Sequence, residues 1–453
     1  MTTLWAEHAL LPSGWAKDVC VDINGTRITH VTTGNPPAGQ RLGILLPAPA
    51  NAHSHAFQRA MAGLTEARGP ESRDTFWTWR RLMYRFLDLL DPDHIQAISA
   101  LAQIEMLEAG YASCAEFHYV HHAPGGTAYH NLAETGQRIA AAASETGIGL
   151  SLLPVHYEFG GCDGRALQGG QLRFGNDFDQ FAKLVDLSGA ALRGLPKDTR
   201  LGVAAHSLRA IAPADLPKLR TLAGRRPFHM HLAEQQAEVD EVQACLGARP
   251  VQWVLDHVET DDTCVFVHCT QMGPEETTAL ARSGAIAAVC PVTEANLGDG
   301  IFPGTDWQRA DGRLAVGTDS NVRISLAEEL RMLEYSQRLR DRARAVLADP
   351  PRTTGRTLFE AITSGGASAA GRDCGAIANG KLADLVALNA AHTDLQRRSG
   401  DAWLDSFVFA GNTGMITDLW SAGRHMVREG RHILRDRVVS AYRRATNQLV
   451  ADL

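Results

Sequence analysis

No C-x-x-C pair occurs among the eight cysteines, so the chain lacks the paired thiols of a cysteine-built metal or redox motif. They read instead as reduced, mostly buried small residues of a cytosolic protein. The opening Met1-Thr2-Thr3-Leu4-Trp5-Ala6-Glu7 has no basic region followed by an apolar core, and no uncharged apolar run is long enough to cross a bilayer. A cytoplasmic protein with no membrane partner is the expectation. There is no internal repeat and no low-complexity linker. A net charge of −7 with mixed signs leaves no basic stretch suited to nucleic acid or anionic lipid, so neither is expected as a partner.

What is present is bulk. At 453 residues and 45% hydrophobic content the chain can bury a large core, and it exceeds the usual size of one domain, so a large domain with a smaller one is expected. Residues 3 to 46 read as short strands and turns, with Asn24-Gly25 as the turn of a tight hairpin. Short apolar runs then alternate with longer amphipathic segments. Strands are predicted over 43–52, 112–119, 148–154, 200–206, 227–232, 263–268, 285–290 and 314–319, with helices over 95–109, 132–146 and 234–246 among others. That alternation predicts an α/β fold, a (β/α)8 TIM-like barrel. After residue 365 β texture returns, clearest over 380–388, so the two ends are expected to form a small β-sandwich domain. The divisions are 1–46, 47–365 and 366–453, the last ending in a helix.

The barrel reading gives a test, because functional groups of such a fold gather at the C-terminal ends of its strands. In His53-Ser54-His55 residues two apart on a strand point the same way, so both imidazoles can face one metal ion, with zinc, iron and nickel all suited to neutral imidazole. His-x-His alone also fits an ordinary surface or core arrangement. However, predicted strand five ends in His231, six in His268 and eight in Asp319, and that set of residue types calls for a metal. Glu234, three residues past His231, can reach a metal's water as the proton shuttle of an aminohydrolase, or can simply favour a helix N-terminus.

His-x-His on the first strand, His231-Leu232-Ala233-Glu234 on the fifth, His268 on the sixth and Gly317-Thr318-Asp319-Ser320-Asn321 on the eighth resemble the amidohydrolase superfamily in its mononuclear deaminase branch. So does the C-terminal run from Gly375 through Gly380-Lys381-Leu382-Ala383-Asp384-Leu385-Val386. Longer stretches narrow the likeness: 53–63, Phe76-Trp77-Thr78-Trp79-Arg80, 116–122, His206-Ser207-Leu208-Arg209 and 293–303 are similar to the N-formimino-L-glutamate deiminases of histidine degradation. Two departures stand out. Pro47-Ala48-Pro49-Ala50-Asn51-Ala52 precedes the His pair where the family carries a Gly and a bulkier residue, and Cys269 follows His268.

The resemblance implies one zinc per subunit, held by His53, His55, His231 and Asp319. It implies that Asp319 takes the first proton, that His268 hydrogen-bonds the attacking oxygen, and that Glu234 carries a proton to the departing nitrogen. It carries Gln58, Arg80, Tyr119, His206 and Arg209 over as binding residues for a small dicarboxylate substrate, bidentate Arg being the natural reader of a carboxylate. For each Arg a solvated surface charge is the plainer alternative, and for the aromatic run 76–79 it is core packing. A homodimer is implied too. Two rivals are weighed: a zinc aminohydrolase acting on a cytosine- or guanine-like base, and a non-catalytic scaffold, which would be expected to have lost its metal ligands.

Overall fold

The computed structural model describes residues 1–67, 76–411 and 413–451. Strands β1 (Thr2–Leu11), β2 (Gly14–Asn24), β3 (Arg27–Thr32) and β4 (Gln40–Pro47) open the chain. The β2–β3 hairpin pairs Asn24 with Arg27, so its turn residues are Gly25 and Thr26, one position later than expected, and Gly25 supplies the positive φ.

Eight parallel staves follow: β5 (Ala50–Ser54), β6 (Ser113–His118), β7 (Gly149–His156), the interrupted stave β8 (Arg200–Leu201) with β9 (Val203–Ala205), then β10 (Phe228–Leu232), β11 (Cys264–His268), β12 (Ile286–Val289) and β13 (Arg313–Val316). Gly202 stands at the interruption of the fourth stave, where a Cβ would meet Leu153 and the Pro227 carbonyl. Helices lie between the strands, among them Pro92–Glu108, Glu134–Thr146 and Gln236–Leu246, close to the predicted spans. β5, β6, β7, β10, β11 and β12 are buried along their whole length, as expected of parallel strands covered on both faces. The barrel is nearly closed. Among the described residues, β5 meets the end of β13 through one parallel bridge, Ser54 with Asp319, reinforced by Thr318 and Asp319 N–H donating to the His53 carbonyl at 3.0 Å and by His55 N–H donating to the Asp319 carbonyl at 2.9 Å.

Strands β14 (Leu385–Leu388), β15 (Ile416–Ser421), β16 (Arg424–Arg428) and β17 (Arg431–His432) return to the first sheet. The result is a separate mixed sheet of eight strands in which β14 pairs antiparallel with β4, joining the two ends of the chain. Leu45, Leu385 and Ala387 point into the sheet's own core. Ile44, Leu46, Val386 and Leu388 face the barrel core.

The predicted strand 43–52 is thus two strands. Ile44-Leu45-Leu46 belongs to the mixed sheet, and the barrel begins after Pro47-Ala48-Pro49, where prolines withhold ladder N–H groups. A buried ion cluster ties the two parts. Arg372, whose side chain is inaccessible to solvent, donates to Asp198 before β8 and to Asp384 before β14, and Arg424 in β16 donates to both Asp198 oxygens at 2.8 Å.

Candidate active site

The ends of β5 and β10 and the loop after β13 bring the three histidines and the aspartate together. His53 Nε2 stands 3.2 Å from His55 Nε2 and 3.1 Å from His231 Nε2, and Asp319 Oδ1 lies 3.5 Å and 3.2 Å from His53 and His55 Nε2. One donor atom from each of the four residues lies within 4.8 Å of every other. His55 Nδ1 is 2.9 Å from the Phe117 carbonyl and His231 Nδ1 is 3.0 Å from the His206 carbonyl. A carbonyl can only accept, so each Nδ1 carries the proton and each Nε2 turns a lone pair inward. Lone pairs converging on a carboxylate repel one another unless a cation lies between them. Burial lowers His53 to about 3 and His231 well below its ordinary value, keeping both imidazoles neutral. Burial alone would raise Asp319, but its closeness to His53 and His55 holds it well below the usual carboxylate range. This is a His-rich metal site.

The loop that carries Asp319 is fixed by side chains. Asn51 Nδ2 donates to Thr318 Oγ1 at 2.6 Å, the Thr318 N–H donates back to Asn51 Oδ1, and Asn321 Nδ2 donates to Ser54 Oγ. At Gly317 a Cβ would stand 2.7 Å from the His53 backbone, so only glycine admits so close an approach. Ala233, His268, Cys269 and Asp319 all have left-handed φ, between 43° and 71°. Non-glycine residues there store about 1–3 kcal/mol each and persist only where the surroundings hold them. Glu238 provides one such hold, accepting from the Ala233 and Glu234 N–H groups at 3.2 and 2.9 Å.

His268 is the second focus. Its Nδ1 is 3.2 Å from Glu294 Oε1, and its Nε2 is 3.8 Å from Glu234 Oε1 and 4.0 Å from Asp319 Oδ2. Burial would lower this imidazole, yet three carboxylates, Glu234 foremost, raise it to about 10. Glu294, raised by burial, has no counterpart in the sequence reading. It lies in the 293–303 motif, but on helix Pro291–Leu297 rather than at a strand end.

A cavity of about 670 Å³, counting its open mouth, lies over these groups and is lined by His55, His231, Glu234, His268 and Asp319. Gln58, Arg80, Tyr119, His206 and Arg209 line the same cavity, so every residue put forward for substrate binding borders it. Gln58 Nε2 donates to the Tyr119 hydroxyl at 2.8 Å, and Arg80 Nη2 donates to the Tyr157 hydroxyl at 3.2 Å with its guanidinium over the Tyr84 ring. Arg209 is buried. Burial disfavours its charge, and Glu238 and Glu234 more than restore it. Tyr157 and Tyr84 are additions, Tyr157 being legible in principle as the residue just past β7. Trp79, given no direct role in the sequence reading, lines the wall. The side chains of Phe76 and Trp77 lie outside what is described.

Comparison with known proteins agrees with this geometry. The amidohydrolase family model matches residues 44–426, and that of the formimidoylglutamate deiminase HutF N-terminal domain matches residues 1–43. The chain is 45% identical over 456 residues to a formimidoylglutamate deiminase of Pseudomonas aeruginosa, covering 99% of this chain and 100% of that one. An amidohydrolase crystal structure from Brucella melitensis superposes with a TM-score of 0.96 at 44% identity, over 99% and 100% of the two chains. A zinc-bound adenosine deaminase of Xanthomonas campestris, at 21% identity and a TM-score of 0.81 over 99% and 98%, shares the fold. The chain belongs to the amidohydrolase family, among its formimidoylglutamate deiminases.

Proposed function

We infer that the chain hydrolyses N-formimino-L-glutamate to N-formyl-L-glutamate and ammonia in histidine degradation. Support comes from the full-length relative of that activity, and from one cavity that borders both a His-rich metal site and two arginines, Arg80 and Arg209. That pairing carries the reading. A substrate with an amidine at one end and two carboxylates needs a Lewis acid and cations within one molecule's length. The borderline donor set of three imidazoles and one carboxylate suits a single zinc, held by His53, His55, His231 and Asp319.

Zinc so held supplies a positive charge and a water acidified from about 15.7 towards 7. The remaining steps fall to the chain's own groups. Arg80 and Arg209 read the carboxylates, while Gln58, Tyr119 and His206 orient the amidine. Asp319 Oδ2 receives the first proton of the attacking water, and His268 Nε2 hydrogen-bonds the oxygen that forms the new C–O bond. Glu234 carries a proton to the departing nitrogen, so the C–N bond breaks with ammonia as the leaving group. Strain at His268 and Asp319 serves to aim both side chains at one point. A homodimer in the cytoplasm goes with the family reading.

The test is ammonia release from N-formimino-L-glutamate set against cytosine, guanine and adenosine. Turnover of the formimino compound alone is expected, with Arg80→Ala and Arg209→Ala each reducing it by at least about tenfold, the loss of one charged hydrogen bond. Turnover of a base that survives both substitutions would replace this reading with the nucleobase one.

A further inference from the structure

A second cluster of metal-competent side chains stands outside the cavity, between the barrel wall and its helices. His156 ends β7, Glu158 follows two residues later, and Asp215 precedes helix Leu216–Ala223. One donor atom from each lies within 4.8 Å of the others. His156 Nε2 is 3.9 Å from both Glu158 Oε2 and Asp215 Oδ2. The imidazole is wholly inaccessible to solvent, packed 5.1 Å from the Phe181 ring, and neither of its nitrogens has a hydrogen-bond partner among the described residues. Glu158 Oε2 is likewise buried without a partner. A buried imidazole normally spends both nitrogens on partners. Here one points between two carboxylates with nothing to bind.

The charge balance favours a cation. Glu158, Asp215 and Asp177 face the imidazole, and Lys218, whose Nζ donates to the other Asp215 oxygen at 2.7 Å, opposes them. Asp177 spends one oxygen on the Gln180 N–H and is not among the residues whose donor atoms converge, so it is counted for its charge alone. Burial lowers His156 to about 4, so its lone pair is available at neutral pH. With metal–ligand bonds of about 2.1 Å, tetrahedral donors sit about 3.4 Å apart, so closing the two 3.9 Å gaps needs a movement of about half an ångström.

We propose that His156 Nε2, Glu158 and Asp215 bind a divalent first-row transition-metal ion such as Zn²⁺ or Mn²⁺, fastening the end of β7 to the start of helix Leu216–Ala223. Because none of the three lines the cavity, this site is independent of the metal site described above.

The purified full chain is dialysed against micromolar Zn²⁺ or Mn²⁺ and its metal content measured per chain, beside the Glu158→Gln/Asp215→Asn double variant and His156→Phe. The wild type is expected to hold one equivalent more than either variant. Crystals soaked in Mn²⁺ are expected to show an anomalous peak within about 2.5 Å of His156 Nε2. Equal metal content in all three proteins, or a wild-type crystal with no peak at His156, overturns the proposal. The wild-type crystal decides the matter even if a variant does not fold.

Discussion

Glu234→Gln keeps the volume of its side chain and removes the ionisable oxygen 3.8 Å from His268. If proton transfer runs through that oxygen, metal content should stay at the wild-type level while turnover falls by at least about 10²; metal analysis beside an ammonia-release assay reads both. His231→Ala should act in the opposite order, losing metal first, because it deletes a donor whose tautomer the His206 carbonyl fixes. The convergence of His53, His55, His231 and Asp319 is legible in the sequence because each stands at or just past a strand end, where a barrel gathers its loops. Glu294 is not legible that way. Its place beside His268 depends on how helix Pro291–Leu297 leaves β12, and no spacing rule encodes that exit angle.

At the scale of elements, the join between β5 and β13 is where sequence and structure press hardest on each other. Gly317→Ala places a methyl 2.7 Å from the backbone of His53. Overpacking of this kind costs about 1–3 kcal/mol, so the variant should show a lower urea midpoint together with weaker metal retention; a normal midpoint would mean that the loop has room to spare. The same region shows why one predicted strand became two. Leu45 faces the sheet's own core while Ile44 and Leu46 face the barrel, so both sides of β4 are buried and its apolar run carries no alternation to separate it from a barrel strand. The strand expected over 380–388 shortens to Leu385–Leu388 for a different reason. Gly380 turns with a φ of 85°, and Asp384 is held by Arg372, a partner 12 residues away that local patterning does not reveal.

For the whole molecule, the Arg372 cluster fixes the mixed sheet against the barrel. Burial alone would raise Asp198, but Arg424 and Arg372 bring it down to about 2, below the ordinary value near 3.9. A carboxylate whose folded value is depressed stabilises the protein above its unfolded value and loses that contribution as pH falls through the folded one. Asp198 should therefore add about 2 kcal/mol above pH 4 that disappears towards pH 2. Urea titrations from pH 5 to 2 should show that slope, and Asp198→Asn should flatten it. Arg372→Leu leaves two buried carboxylates short of a partner and should cost about 3–5 kcal/mol at pH 7. The two-part plan, a barrel flanked by β segments from both ends, is legible in the sequence. This cluster is not, since its members are drawn from three distant stretches of chain.

The bridge between Ser54 and Asp319 has a bearing on how the enzyme can change over evolutionary time. The clasp of the cylinder and the carboxylate nearest the histidines are one short loop, so a mutation that retunes that carboxylate also tests whether the hoop stays shut. Variation towards new substrates has freer ground on helix Phe76–Leu87, around Trp79, Tyr84 and Arg80, which line the cavity without belonging to any stave.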